Sequence, residues 1–344
     1  MKRPTIADIA ARAKVSKGAV SYALNNQPGV SEATRARIMS IAAEMGWTPN
    51  SAARALSAAR ADTIGLVFAR PPRTLGLEPF FMEFISGVED ELTRTSRGLL
   101  LQVVPDREAE LVVYRRWWAA RRVDGVIVVD LALDDPRVAV LNTLGLPAVV
   151  AGGPGGLDGL TGVWTDDASA MISIVRHLVE LGHRRIARVA GLPDLLHTRS
   201  RSDAFDTTAR ELALDSAETM YTDFSDETGA RATRSLLSSP QPPTAIIFDN
   251  DVMAVASVAM AAEMGLSVPA DVSLVAWDDS VLCRLTHPPL TAMSRDVVAY
   301  GAHVTRRLLA LLDGTPPGIF LDATPHLVSR GTTSAPGQPS TDPA

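Results

Sequence analysis

Thr5-Ile-Ala-Asp-Ile-Ala-Ala-Arg-Ala-Lys-Val-Ser-Lys-Gly-Ala-Val-Ser-Tyr-Ala-Leu-Asn25 fits two short capped helices and a tight connection into twenty-one positions. Thr5 suits an N-cap, and Asp8 places an acid in the first turn, where the helix dipole favours it. Ile6, Ile9, Ala10 and Ala13 recur at helical spacing and make one apolar face. Lys14 and Val15 form the connection, and Ser16 caps a second helix. Val20 and Leu24 turn inward with Val15, which leaves Lys17, Gly18, Ser21, Tyr22 and Asn25 outward on a small, polar surface without an acid. A surface of that kind can sink into a major groove and bring hydrogen-bonding tips to base edges, so the stretch reads as a helix-turn-helix rather than an ordinary surface helix pair.

Charge supports the reading. Residues 1–60 carry nine Lys or Arg against the three acids Asp8, Glu32 and Glu44, a net of +6; the whole chain is −6, which leaves −12 on residues 61–344. A basic head on an acidic body confines phosphate binding to one end, because cations are rewarded where they displace counterions from a nucleic-acid backbone. With 344 residues and 46% hydrophobic content, the chain can fill a small head and a body of two lobes. No apolar run is long enough for a membrane span, and Met1-Lys-Arg leads into the motif without a signal-type segment, so a cytoplasmic protein without a membrane partner is expected. The single cysteine, Cys283, excludes an internal disulfide and a multi-cysteine zinc site and reads as a small core residue.

The head continues with a turn at Asn26-Gln-Pro-Gly29, a cap at Ser31 and a third helix over Ala33 to Met45, ended by Gly46. Trp47-Thr-Pro-Asn50 follows, then Ser51-Ala-Ala-Arg-Ala-Leu-Ser-Ala-Ala-Arg60, which favours helix but has Leu56 as its one large apolar residue and is too short to be stable alone. On composition it reads first as a flexible linker. The other reading is a helix ordered on docking, with Leu56 as a wedge and Arg54 or Arg60 at phosphates.

The body alternates strands and helices. Thr63–Phe68, Gly98–Val104, Gly125–Val129, Pro147–Val150, Arg185–Ala190, Thr244–Phe248 and Val272–Ala276 are short apolar runs of buried parallel type, separated by helical stretches such as Pro79–Ser96, Ala168–Leu181, Asp251–Met264 and Asp296–Leu312. That pattern gives an α/β body of doubly wound parallel sheets, with ligands expected beyond the carboxyl ends of the strands, between lobes. Those ends offer Asp249, Asn250 and Asp251; Trp277, Asp278 and Asp279; a loop with His197, Arg199 and Arg201; and Tyr221-Thr-Asp-Phe224. Aromatic faces with Asn, Asp and Arg suit a polyhydroxylated ligand. Asp251 and Asp279 read first as helix caps.

Enzyme motifs are missing: the sequence has no Gly-x-Ser-x-Gly, no phosphate loop ending in Gly-Lys-Ser/Thr and no His-Glu-x-x-His. Gly152-Gly-Pro-Gly-Gly156 reads as a flexible turn, and His177 and His183 are spaced off one helical face, so no cofactor or metal is expected.

The head resembles that of the LacI/GalR family of bacterial transcription regulators, through Thr5-Ile-Ala-Asp-Ile-Ala, Val15-Ser16, Val20-Ser21, Val30-Ser-Glu-Ala-Thr-Arg35 and Thr48-Pro-Asn50. The body resembles the same family through Pro79-Phe-Phe81, Val123-Asp-Gly-Val126, Gly182-His-Arg-Arg-Ile186, Pro243 to Ala254, Val272 to Asp279 and Pro289-Leu-Thr291. The resemblance implies a headpiece over 1–50, a hinge helix over 51–61 that pairs with its mate in a homodimer, and a periplasmic-binding-protein-like core over 62–333. Within the core it implies an N-lobe of about 62–162 plus 291–322 and a C-lobe of about 163–290 plus 323–333. It puts Leu56 in the minor groove at the centre of a palindromic double-stranded DNA operator, and base reading chiefly on Lys17, Gly18 and Tyr22, with Thr5, Ser16, Ser21, Asn25, Asn50 and Arg54 as further DNA-binding residues. It places a small-molecule effector, a carbohydrate, at Phe80, Arg201, Phe224, Asn250 and Asp278. Gly18 has no side chain to read a base, Tyr22 replaces the Arg of several members, Gly152 stands where some sugar-binding members have Asp, and Ala204 replaces the usual Gly after Arg201. A nucleoside or other metabolite as effector, and a solute-binding protein without a DNA role, stay open. The tail from Ser334 to Ala344 is rich in Pro, Ser and Thr without a leucine heptad, so a disordered end and a dimer rather than a tetramer are expected.

Overall fold

The computed structural model describes residues 4–47, 60–70 and 76–337. Asn50, Arg54 and Leu56, with the expected hinge helix, lie outside the described residues. The chain forms two compact units that meet in sequence at Ala61 and Asp62.

The first unit is built on α1 (Ile6–Ala13), α2 (Lys17–Leu24) and α3 (Glu32–Glu44). Each begins at the cap its sequence supplies. The Thr5 hydroxyl accepts from the Asp8 N–H while the Thr5 N–H donates to the Asp8 carboxylate at 2.8 Å, a reciprocal capping box. Ser16 Oγ accepts from Ala19 N, and Ser31 Oγ from Thr34 N. Lys14 closes α1 in the left-handed region, at φ +54°. Ile9, Ala13, Val20, Ala23, Ile38 and Ala42 fill a core shared by all three helices. Arg35 of α3 donates to the carbonyls of Tyr22, Ala23 and Gln27 at 3.3, 2.9 and 2.7 Å, satisfying the end of α2 and fixing its angle to α3.

The second unit holds two six-stranded sheets. The first contains β1 (Thr63–Ala69), β2 (Gly98–Val104), β3 (Gly125–Val129), β4 (Ala148–Ala151), β5 (Thr161–Trp164) and β11 (Ile319–Leu321), ordered β11-β5-β4-β3-β1-β2 and all parallel. The second contains β6 (Arg185–Ala190), β7 (Ser216–Tyr221), β8 (Ala245–Phe248), β9 (Ser273–Trp277), β10 (Thr291–Ser294) and β12 (His326–Val328), ordered β12-β10-β9-β8-β6-β7, with only β12 antiparallel. Helices α4 (Pro79–Arg94) and α12 (Val297–Leu312) cover one face of the first sheet, α5 (Arg107–Ala119) and α6 (Pro136–Leu144) the other. The second sheet lies between α7 (Asp167–Glu180) with α8 (Leu196–Glu211) and α9 (Asp226–Leu237) with α10 (Asp251–Glu263); α11 (Val281–Leu285) is a short turn of helix. Ile64, Leu66 and Phe68 bury toward α4 and α12, Val67 toward α5, the two-sided burial that makes parallel strands read as continuous apolar runs. Two glycines let α4 and α12 cross closely: a Cβ on Gly87 would stand 1.9 Å from Val298 O, and one on Gly301 2.2 Å from Phe84 O.

Three expectations are corrected here. The lobe boundary falls later than 290, because β10 pairs Thr291–Met293 with Val275–Trp277 of β9 and buries Ala292 and Met293 in the second lobe. It also falls later than 162, since β5 runs to Trp164 in the first sheet. The chain therefore passes between lobes after β5, after β10 and after β11. The tail is not loose from Ser334: its carbonyl accepts from the ring of buried His183 at 2.9 Å, and its N–H donates to Ser273 Oγ. No described helix is long and apolar enough to cross a membrane, and no described cluster of His, Cys, Asp or Glu could hold a metal ion.

Candidate ligand cleft and nucleic-acid face

On α2, Lys17, Gly18 and Asn25 are exposed, Tyr22 is 47% exposed and Ser21 is half-buried. Asn25 Nδ2 donates to Ser21 Oγ at 3.3 Å, one turn earlier on the same face. Gly29, at φ +114°, lies under the Tyr22 ring, where a Cβ would stand 3.4 Å from it; the turn thereby leaves the ring's outer face to solvent. The Thr5 and Ser16 hydroxyls are exposed but engaged as caps, so their first task is to hold the helix starts.

In the second unit, the residues that follow the strands converge. Arg70 comes directly after β1, Asp130 after β3, Gly152 after β4, Thr165 after β5, Asp249 after β8, Asp278 after β9 and Arg295 after β10, and all seven line one cleft between the lobes. The cleft encloses about 770 Å³, part of it open to solvent, within the range of small-molecule sites. Phe80, Arg201, Phe224, Asn250 and Asp278 all line it.

Each arginine in the cleft is both paired and stacked. Arg70 Nε donates to Asp130 Oδ2 at 2.7 Å, and its guanidinium lies 4.6 Å over Phe224. Arg201 sits 3.7 Å over the Trp277 ring and 3.4 Å from Asp167 Oδ2. Arg295 Nε donates to Asp278 Oδ1 at 3.1 Å and lies 4.9 Å over Phe80. Cation–π contact and charge pairing together offset the cost of burying three guanidiniums. Burial opposes ionisation of Asp130, but Arg70 outweighs it and holds this carboxyl below the ordinary range.

Asn250 joins the lobes. Its Oδ1 caps α10 by accepting from Met253 N, while its Nδ2 donates to Glu78 Oε1 at 2.9 Å and to Phe224 O at 3.0 Å. Burial pushes Glu78 up to about 7 even though Arg70 stands beside it, and pushes Asp251 up to about 7 despite a hydrogen bond from Ser280. His197 is driven down to about 4 by burial and by the Arg201 charge, so it faces the cleft as a neutral imidazole able to donate from one nitrogen and accept on the other. Asp130, Phe224 and Asp278 have left-handed backbones, with φ +53°, +68° and +63°, a strain that gathers at binding sites.

Sequence reasoning missed Arg70, Glu78, Asp130, Thr165, Asp167, Arg295 and Tyr300, and left His197 unselected. Arg70 and Asp130 each follow a strand that was legible, so scanning every strand end would have found them. Three candidates lie elsewhere: Arg199 pairs with Asp203 on the surface, Asp249 turns inward onto Arg188, and Tyr221 is exposed with its hydroxyl 3.3 Å from Ser202 Oγ. The caps expected at Asp251 and Asp279 fall on their neighbours Asn250 and Ser280; Asp279 instead accepts from Arg330 at 2.7 Å.

Residues 5–50 match the lacI family of bacterial regulatory proteins, and residues 175–333 match the periplasmic binding protein-like domain. The HTH-type transcriptional regulator CelR of Thermobifida fusca is 31% identical over 337 residues, 96% of this chain and 98% of CelR. The HTH-type transcriptional repressor CytR of Escherichia coli K12 is 30% identical over 339 residues, 96% of each chain. Among solved structures, the CelR–cellobiose complex matches with a TM-score of 0.74 at 29% identity, covering 96% of this chain and 100% of that one. The lac repressor dimer bound to operator and the anti-inducer ONPF matches with a TM-score of 0.84 at 27% identity, covering 97% and 100%. With capped helices presenting a polar α2 face and a two-lobed body closed around a ligand-sized cleft, the chain belongs to the lacI family of DNA-binding transcription regulators.

Proposed function

We propose that the protein is a cytoplasmic repressor that binds a near-palindromic operator as a homodimer and leaves it when a small carbohydrate occupies the interlobe cleft. The observation that carries the effector half is the convergence of Phe80, Arg201, Phe224, Asn250 and Asp278 on one cleft of ligand size, with His197 and Arg295 adding polar groups beside aromatic faces. Rings and forked side chains in alternation suit a molecule with an apolar face and an equator of hydroxyls. Likeness to a regulator solved with cellobiose supports a sugar, and likeness to an operator-bound dimer supports the mode of DNA binding. In the head, Lys17, Ser21, Tyr22 and Asn25 read bases, with Asn50, Arg54 and Leu56 meeting DNA nearer the operator centre.

The cleft acts by binding, without catalysis: Asp130, Asp167 and Asp278 are each held by an arginine, which leaves them poor bases. A ligand reaching both Glu78 and Asn250 engages both lobes at once, so occupancy changes their relative stability, and the coupling to DNA is reciprocal.

A thermal-shift screen with mono- and disaccharides and nucleosides, followed by operator release in fluorescence anisotropy, tests the reading. Hits are expected among sugars, and Arg201→Ala and Asp278→Ala are expected to abolish their binding. A hit that binds equally well to both variants refutes the cleft assignment; a nucleoside hit that needs both residues replaces the sugar and keeps the site.

A further inference from the structure

The body is acidic, yet between Glu110 and Asp124 it carries four arginines, Arg115, Arg116, Arg121 and Arg122, and no acid. Arg116, in the last turn of α5, donates to Gln102 Oε1 at 2.8 Å and complements the carbonyl end of its helix. The other three are exposed, and none has an ion-pair partner among the described residues.

Helix stability does not select them. Arg121 N–H donates to Trp118 O at 3.0 Å and Arg122 N–H to Trp117 O at 2.9 Å, a terminating pattern whose left-handed position favours glycine. Arg121 occupies that position at φ +50°. An arginine there gives up backbone ease for a charge in solvent.

Their place in the fold says which charge they meet. Asp124 N–H donates to Thr63 O at 2.8 Å, and Arg122 is two residues before Asp124. Two residues of extended chain span at most about 7 Å, so Arg122 stands next to the start of β1. Asp62, the first residue of the body, is where the chain continues into the DNA-binding unit. Whatever the orientation of the two units, DNA held by the first is kept at high effective concentration around this tether. Over the rest of a body carrying −12, DNA is repelled.

We propose that Arg115, Arg121 and Arg122 form a second phosphate-contacting surface, through which the body binds the backbone of duplex DNA flanking the segment held by the head. It rests on the reading of the head as a DNA-binding unit. An acidic protein surface fits the same charges, but nothing tethers one here.

The test uses the full-length chain, the triple variant Arg115→Gln/Arg121→Gln/Arg122→Gln and the single variants Arg121→Gly and Arg122→Gln. The probe is a 40-bp duplex selected by the wild-type protein from a random-core library, titrated by anisotropy from 50 to 200 mM KCl. Each lost phosphate contact lowers the slope of log affinity against log salt by about 0.9. Two lost contacts remove about 1.8 units, so the wild-type advantage shrinks roughly tenfold across that salt range. Arg121→Gly fits the backbone better than arginine, so its melting temperature is expected to hold or rise while its slope falls. If the triple variant does not fold, the two single variants carry the test, each losing about 0.9. Equal slopes for wild type and folded variants overturn the proposal and leave an acidic protein as the patch's counterpart. A wild-type chain that selects no duplex refutes the DNA-binding reading itself.

Discussion

Arg188 and Asp249 form an ion pair with both side chains fully buried, and removing one partner is expected to cost the body about 3–5 kcal/mol. The magnitude follows from what is left behind. Asp249 accepts from Arg188 Nε at 3.0 Å, from Arg188 Nη2 at 2.7 Å and from Gly191 N at 3.1 Å. Arg188→Met leaves a buried carboxylate with one donor. Asp249→Leu leaves a buried guanidinium with Ser202 Oγ and Thr198 O. The double variant removes both charges and orphans chiefly the Gly191 N–H, a loss of about 1–3 kcal/mol. The two single losses therefore exceed the double one by about 3 kcal/mol or more in a double-mutant cycle. Urea unfolding of the full chain, followed by fluorescence of the body's Trp117, Trp118, Trp164 and Trp277, reads all four corners. Burial opposes ionisation of Asp249, but Arg188 and then Arg201 outweigh it and hold the carboxyl below its ordinary value. Its contribution is present above the unfolded carboxyl range of about 4 and is lost as pH falls through the lower folded value. Single variants that lose less than about 1 kcal/mol, or a double variant that loses the sum, refute the reasoning.

Glu78 and Asp251, each raised to about 7, bind their protons more tightly folded than unfolded. Stability is therefore fully present below about pH 4 and falls as pH rises through about 7; the decline in melting temperature over that range should flatten in Glu78→Gln/Asp251→Asn, and an unchanged slope counts against it. Gly191→Ala puts a Cβ 1.8 Å from Cζ of Phe224, so this ring must leave its seat; ligand binding in calorimetry should weaken at least tenfold, and wild-type affinity would contradict the packing. Thr5→Ala removes the α1 cap and should destabilise the head by about 1 kcal/mol, seen as fraying of residues 6–9 in amide hydrogen exchange. Cys283, buried and with its thiol pushed up to about 12, should react with a thiol reagent only after denaturant is added.

The head was legible because its information is local: Thr5, Ser16 and Ser31 each cap a helix within three residues, and apolar spacing selects the buried face. In the body, long two-sided strands such as β1 and β8 were legible for the same reason. Four-residue β5 and β10 carry too few apolar residues to stand out, and without β10 there was no strand end to point at Arg295. Which sheet takes β10 is decided by its pairing with β9, a fact of tertiary structure that no local window contains. Arg188 shows a related limit. It sits inside an apolar run, and its partner Asp249, sixty-one residues away, is what makes a charge tolerable there.

The cleft also explains why ligand entry has to change lobe geometry. The aromatic faces on which a sugar ring would rest are covered: Phe224 by Arg70 and Phe80 by Arg295. A ring entering there exchanges contacts rather than adding them, so only the difference drives binding. Arg70 comes from the end of β1 in the first lobe, whereas Phe224 follows β7 in the second. Displacing the guanidinium therefore breaks a contact between lobes and frees Arg70 to remain with Asp130 and Glu78 on its own side. Arg295 sits where the chain passes from β10 to α12, between one lobe and the other, and is tied to Asp278 and Thr165. A ligand that lifts both arginines stabilises one arrangement of the lobes over another by the difference in these contacts, which is the requirement for an effector to act at a distance.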